Sequence, residues 1–298
     1  MKTILGIIGS PRKLGNCEIM VKEISRNIAE PHDLRLLRLT DFDIRPCTGC
    51  YACLFQKGGC VIQDDFQTAV DAVLAADALI VSAPTYFLGP NAGLKRFLDR
   101  GIALYPHSEK LWGKPAVGIG IAGIPGREGY TLLGIESFLK LMLADVKTCR
   151  LFYGALPGEV FMDGANRAAA KEIAHALFAP PAPKSGPRCP LCGGDTFRFL
   201  GENRVRCMLC SNAGTIRLSE GAAVLDTKRA GHELFLTRED AVAHREWLVG
   251  MKARFMAHKN ELKQISQDYR HEGTWVRPEA PGPESAESPA PEPRDRDR

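Results

Sequence analysis

No apolar run in the 298-residue sequence approaches the ~18 residues of a membrane span, which argues against a helical membrane protein. Charge of one sign is also scarce. The net charge is only +4, and the basic residues are dispersed rather than gathered in one run, so nucleic acid is not an expected partner. The Gly-Lys-Ser/Thr ending of a Walker loop is missing, as is G-x-G-x-x-G, and no Ser/His/Asp triad or carboxylate dyad stands out. Chemistry carried by side chains alone is therefore not the expectation. An export signal is absent too: the apolar start Met1–Gly9 is too short and leads straight into a polar turn, as a first buried strand would.

Thiols, by contrast, are plentiful. Eight of the ten cysteines fall into two tight clusters, Cys47, Cys50, Cys53 and Cys60 (C-x2-C-x2-C-x6-C), and Cys189, Cys192, Cys207 and Cys210 (two C-x2-C knuckles fourteen residues apart). Metal-ligand spacing without an export signal belongs to a reducing compartment, and a cytoplasmic location is expected. Cys17 and Cys149 stand alone and are read as buried thiols.

From residue 1 to about 178, short apolar runs alternate with longer amphipathic ones. Expected strands are Thr3–Ile8, Leu34–Leu39, Ala78–Ser82, Ala116–Ile121 and Lys147–Gly154, with helices near 16–29, 65–76, 90–103, 130–144 and 165–178. Continuously apolar strands covered on both faces, in five β-α units, predict an α/β fold: a flavodoxin-like, doubly wound, five-stranded parallel sheet. Residues 179–188 are a proline-rich linker, 189–218 a small metal-bound ribbon, 219–272 a C-terminal helical segment and 273–298 a disordered tail poor in large hydrophobics. Because the five units end before Pro180, the first 178 residues are expected to stand as a separate domain.

Three loops fall at the carboxyl ends of these strands, where open α/β sheets bind ligands. Gly9-Ser10-Pro11-Arg12, with Gly15 and Asn16 opening a helix, makes an anion site: backbone N–H groups and the helix dipole converge, Ser10 and Asn16 add hydrogen bonds, and Arg12 adds charge. One phosphate, as in FMN, suits this turn better than a dinucleotide; the plainer reading is a βα turn capped by Asn16. Ser82–Asn91 offers Pro84 and Pro90 for rigidity, Thr85 beside them, Tyr86 and Phe87 as flat surface, and Gly89 for close approach to a ring. The Ala122–Gly129 loop, beginning with Gly123, is placed to flank the ring or an incoming substrate.

With these residues in hand, the first 178 positions resemble the NAD(P)H-dependent FMN reductase family, and more narrowly its iron–sulfur flavoproteins. The matching motifs are the G-S-P-R…G-N turn at 9–16, the compact cysteine cluster with Asp64 and Asp65 behind it, and S-A-P-T-Y-F-x-G at 82–89. The resemblance implies FMN held by Ser10, Arg12, Asn16, Pro84, Thr85, Tyr86, Phe87 and Gly89. It also implies NAD(P)H or a reduced ferredoxin-type donor, a small-molecule or protein acceptor, and a homodimer or higher homo-oligomer.

Cys47, Cys50, Cys53 and Cys60 fit a [4Fe–4S] cluster, with zinc and redox-active free thiols as the alternatives. Cys189, Cys192, Cys207 and Cys210 resemble a zinc ribbon more than a rubredoxin, whose knuckles lie farther apart. So short a segment would draw its folding energy from the metal. Asp64 and Asp65 read as a helix cap, and Thr237 as the N-cap of a helix over about 237–270. On that helix His244, Trp247, Met251, Phe255, His258, Leu262, Ile265 and Tyr269 form one apolar stripe, expected to dock on another surface. A flavin-dependent oxidoreductase follows as the leading function. The rival is a redox-responsive binding protein in which the flavin domain senses and the ribbon grips nucleic acid or protein.

Overall fold

A computed structural model describes residues 1–55, 59–180 and 186–277. In chain order the first part runs β1 (Lys2–Ile8), α1 (Asn16–Arg26), β2 (His32–Arg38), α2 (Phe66–Ala75), β3 (Ala78–Tyr86), β4 (Gly89–Pro90), α3 (Ala92–Asp99), α4 (Ser108–Leu111), β5 (Pro115–Ala122), α5 (Thr131–Leu141), β6 (Asp145–Tyr153) and α6 (Gly164–Phe178). The main strands are parallel in the order β2-β1-β3-β5-β6, with two-residue β4 folded antiparallel onto the end of β3. All five expected strands and all five expected helices are present. The one notable shortening is the helix expected over 90–103, which stops at Asp99 and continues as a 3-10 turn over Gly101–His107.

The two-residue period of the strands divides the core between the sheet faces. Ile4, Ile8 and Ile80 point to the face covered by Met20, Val21 and Ile24 of α1 and Ile173 and Leu177 of α6. Leu5, Ile7, Leu79 and Val81 point to the other, against α2, α3 and α5. There Phe66, Phe97 and Phe138 stack in sequence with ring centroids 5.1 and 5.7 Å apart. Both faces are thus sealed, and only the strand ends remain for a ligand.

After the linker, four antiparallel strands follow: β7 (Phe197–Phe199), β8 (Arg204–Cys207), β9 (Ala213–Ser219) and β10 (Ala222–Thr227), in the order β10-β9-β8-β7. The hairpin expected from Phe197 is present, but the sheet outlasts the 189–218 ribbon, since β10 lies in a stretch expected to be helical. Glu220 and Gly221, both at positive φ, form the two-residue turn that joins β9 to β10. α7 (Arg238–Asp268) opens with a capping box. The Asp240 N–H donates to Thr237 Oγ1 and the Thr237 N–H to Asp240 Oδ2, at 3.2 and 2.8 Å.

Residues Met1–Gly250 form one compact unit, and the described residues from Met251 onward a second. Within the first, the region after the linker touches the flavodoxin-like part: Arg238 pairs with Glu109 at 2.5 Å, and the His244 ring meets Tyr105 edge-on at 5.7 Å. The five β-α units are complete before Pro180, yet Tyr105 takes part of its cover from beyond it. In the second unit, Phe255, Leu262, Ile265 and Tyr269 are exposed along the helix. No helix among the described residues is long and apolar enough to cross a membrane. Most of the expected tail, 278–298, lies outside the described residues, as do 181–185 of the linker.

Candidate functional site

At the carboxyl edge of the sheet, a cavity of about 210 Å³ is lined by Ser10, Arg12, Asn16, Cys17, Pro84, Thr85, Tyr86, Ile121, Gly123, Gly154 and Ala155. Seven of the residues expected to hold a flavin therefore meet in one place. Two do not line it. Phe87 is fully exposed, and Gly89 is buried under Tyr130, whose ring carbon would lie 2.3 Å from a Cβ added there.

The turn after β1 is built as an anion cradle. Gly15 precedes α1 as its N-cap, without a side chain to bond the first helical N–H groups. Asn16, read as a possible cap, instead donates through Nδ2 to the carbonyls of Gly154 and Leu156, each at 2.9 Å. It holds the loop after β6 against the cavity and leaves the helix end open to a ligand. Arg12 assists, its Nη1 donating to the Ala155 carbonyl at 2.8 Å, while Ser10 Oγ accepts from the Arg12 N–H at 3.3 Å. Glu18 steadies the turn from below by accepting from the N–H of Leu14, which sits at φ 51°, at 2.8 Å. Burial alone would raise the Glu18 carboxyl. Its hydrogen bonds and the charges of Lys22 and Arg38 outweigh that and hold its pKa below the usual range.

The ring loop is pinned from both sides. Asn91 Nδ2 donates to the Gly9 carbonyl at 2.6 Å, and a Cβ on Gly9 would lie 2.4 Å from Asn91 Oδ1, so the two loops meet only because residue 9 is glycine. Thr85 and Thr131 share a 2.8 Å hydroxyl hydrogen bond, and the Tyr130 N–H donates to the Leu88 carbonyl at 2.7 Å. Phe87 and Leu88, at φ 47° and 67°, form the tight turn between β3 and β4. Asn91, Glu18, Thr131 and the Gly154–Leu156 loop escaped the reading of the sequence. Only the last had an available signal, since it follows a fifth parallel strand at the ligand-binding edge.

Between β2 and α2 the chain makes a loop that carries Cys47, Cys50, Cys53 and Cys60, closed at a neck by the two aspartates. The Asp43 N–H donates to Asp65 Oδ2 at 2.7 Å, the Asp65 N–H to the Asp43 carbonyl at 3.0 Å, and the Arg45 N–H to Asp64 Oδ2 at 2.8 Å. The cap reading is corrected here. Asp64 does accept from the Phe66 N–H at 3.1 Å, but its fully buried carboxylate mainly binds Arg100 Nη1 at 2.5 Å. Left-handed backbone at Gly49, Tyr51 and Gly59 folds the loop on itself. Cys47 and Cys50 are exposed, and Cys53 and Cys60 are half-buried. Burial first, then the nearby Cys60, Cys50 and Cys47 sulfurs, push the Cys53 thiol up. A hydrogen bond from the Ala52 backbone, helped by the Thr48 side chain, draws the Cys50 thiol down. Three sulfurs at two-residue gaps with a fourth close behind are a soft donor set, which fits a metal or iron–sulfur centre.

Burial tends to raise the Asp64 carboxyl, but hydrogen bonds from Arg100 and from the Arg45 and Phe66 N–H groups dominate and hold its pKa below the ordinary carboxylate value. A depressed folded pKa means that the neck stabilises fully above the unfolded value, about 3.9, and that this is lost as pH falls through the folded one. Asp64→Asn should therefore lower the urea midpoint at neutral pH, and its gap to the parent should close below about pH 4. A gap that stays constant with pH would contradict this.

The second cysteine group is tighter. Cys189, Cys192, Cys207 and Cys210 have all four sulfurs within 4.8 Å of one another, and among the described residues no other His, Cys, Asp or Glu group forms such a set. The Cys192–Cys207 and Cys189–Cys210 sulfur separations are 3.5 and 3.8 Å. Sulfurs about 2.3 Å from one tetrahedral zinc lie about 3.8 Å apart, so this set fits a single ion. Hydrogen bonds among the sulfurs push the Cys192 thiol up and draw the Cys210 thiol down. Asn212, which faces Cys210, donates through Nδ2 to Glu233 at 2.9 Å and accepts from the Ala230 N–H at 2.7 Å, so it ties the knuckle to the chain before α7.

Fold and cavity together define a flavodoxin-like, flavin-dependent oxidoreductase. The profile of the NADPH-dependent FMN reductase family matches residues 2–134. An iron–sulfur flavoprotein of Methanocaldococcus jannaschii is 34% identical over 139 residues, which are 45% of this chain and 70% of that relative. One of Archaeoglobus fulgidus is 32% identical over 161 residues, 54% of this chain and 72% of its own. The chain belongs to the iron–sulfur flavoprotein family. The solved structure of a flavone reductase superposes with a TM-score of 0.71 at 20% identity, over 93% of this chain and all of its own, a likeness of fold alone.

Proposed function

We propose that this protein is an FMN-dependent oxidoreductase that moves electrons between NAD(P)H or a reduced ferredoxin-type donor and a small-molecule or protein acceptor. The observation that carries the reading is the uncapped start of α1, which opens with Ser10 and Arg12 into the same cavity as Pro84, Thr85, Tyr86 and Gly123. FMN, when bound, supplies hydride and single-electron chemistry. The chain supplies position: the helix end, Ser10 and Arg12 hold the phosphate, Pro84–Tyr86 border the ring, and Asn16 keeps the Gly154 loop closed over the phosphate end.

We assign Cys47, Cys50, Cys53 and Cys60 to a [4Fe–4S] cluster, which would supply single-electron transfer. The C-x2-C-x2-C-x6-C spacing supports this reading, and the family name points the same way. Zinc is assigned to Cys189, Cys192, Cys207 and Cys210 as a structural ion. The ten cysteines form no disulfide among the described residues, which suits a reducing, cytoplasmic setting. The exposed stripe from Phe255 to Tyr269 favours self-association, which light scattering would measure.

Anaerobically purified protein should contain FMN, iron, sulfide and zinc, and should oxidise NAD(P)H with quinone, flavin or ferredoxin acceptors. FAD bound in clear preference to FMN would count against the phosphate assignment. Arg12→Ala removes one charge-assisted contact worth about 1.5–3 kcal/mol, so FMN should bind roughly ten- to a hundredfold more weakly by fluorescence titration. An unchanged dissociation constant would remove Arg12 from the site.

A further inference from the structure

Arg100 does more than pair with Asp64. Its side chain is 1% exposed, and it lies over the Phe66 ring with its guanidinium carbon 4.1 Å from the centroid. Only Nη1 is occupied, by Asp64 at 2.5 Å and the Arg45 carbonyl at 3.4 Å. Nε and Nη2 are buried and have no hydrogen-bond partner among the described residues. Leaving charged donors buried and unpaired is costly, so such groups mark a missing acceptor. The Cys60 side chain lies against the same guanidinium. The unpaired edge of the fork thus belongs to a cation that sits beside one of the four expected ligands.

We propose that Arg100 is a positioning residue for the cysteine-bound centre: held by Asp64 and Phe66, it donates N–H bonds to the Cys60 sulfur and to the acceptor atoms of the centre that Cys60 binds. This inference rests on the assignment of an iron–sulfur centre to Cys47–Cys60. Hydrogen bonds to ligand sulfurs and nearby positive charge retain a cluster and favour its more negative, reduced form. Lysine would keep the charge but lose the planar fork that reaches Asp64 and Cys60 together.

The test uses the full-length, anaerobically prepared protein, the parent with Arg100→Gln and Arg100→Lys, and three readouts: iron release to a ferrous chelator, the spectroscopic midpoint potential, and FMN content as a check of the fold. Arg100→Gln should release iron at least about tenfold faster, the size usual for loss of an outer-shell partner. At a fixed potential its reduced-to-oxidised ratio should fall about tenfold, a shift of about 59 mV for one electron. Arg100→Lys should release iron faster than the parent and keep most of the potential. FMN-replete Arg100→Gln with parental release and potential overturns the proposal. If Arg100→Gln fails to fold, Arg100→Lys decides: faster release supports the fork, and the parental rate overturns it. A parent protein with FMN but neither iron nor sulfide overturns the cluster assignment itself, and the proposal with it.

Discussion

Cys207→Ser will unfold the β7–β10 sheet and leave the flavin cavity loaded. The sheet is small, and its buried centre consists largely of Val205, Cys189, Cys207 and Cys210. A segment of this size has too little apolar surface to offset its chain entropy, and in zinc-finger peptides the ion contributes about 10–16 kcal/mol of apparent binding energy at neutral pH. Serine at 207 removes one of four sulfurs set for a tetrahedral ion, at the β8 residue that pairs with Phe197 across the sheet. Zinc should fall to background, limited proteolysis should cut between residues 186 and 230, and FMN content should stay at the parental level. Because Arg238 and His244 follow the ribbon and contact Glu109 and Tyr105, a modest fall in the melting temperature of the flavodoxin-like part is expected as well. A zinc-free Cys207→Ser protein that resists protease like the parent would show that the sheet folds without metal.

With the cluster assigned as proposed above, Cys53→Ser is expected to abolish iron and sulfide binding and to leave the second cysteine group and FMN in place. Cys53 is the last member of the three-cysteine run Cys47, Cys50, Cys53. It is half-buried, and its thiol is pushed up by burial and then by the Cys60, Cys50 and Cys47 sulfurs. Serine keeps the size but offers a hard, poorly acidic oxygen where a soft thiolate is required. Iron and acid-labile sulfide should drop from stoichiometric to background, with the broad absorbance between the flavin bands. The loop neck is made by Asp43, Arg45, Asp64 and Asp65, not by the cysteines, so the fold should persist. Iron retained at the parental level in Cys53→Ser would remove this thiol from the centre.

Much of the protein was legible in the chain itself. The strands of the parallel sheet are unbroken apolar runs such as Ala78–Val81, and the helices between them carry one apolar face, so period alone separates the two. Both cysteine groups announce themselves by spacing, because ligands two residues apart can turn onto one centre whatever surrounds them. The cavity was legible for the same reason: Ser10 and Arg12 directly follow one strand and Pro84–Tyr86 form the end of another, and the carboxyl ends of parallel strands lie at one edge.

Other features depend on partners distant in sequence, and no local pattern reveals them. Asn16 looks like a helix cap, and only the fold brings the Gly154 and Leu156 carbonyls to its amide. Asp64 sits just ahead of a helix and reads as its cap until α3 delivers Arg100, thirty-six residues on, to its carboxylate. Phe87 looks like a ring wall, but the tight turn between β3 and β4 throws it into solvent. The sequence by itself determined which elements form and which residue types gather at the strand ends, since these follow from periodicity and ligand spacing. Tertiary structure alone decided which side chains satisfy one another across the sheet edge, because a buried charge or amide takes whichever partner the packed chain brings within hydrogen-bond reach.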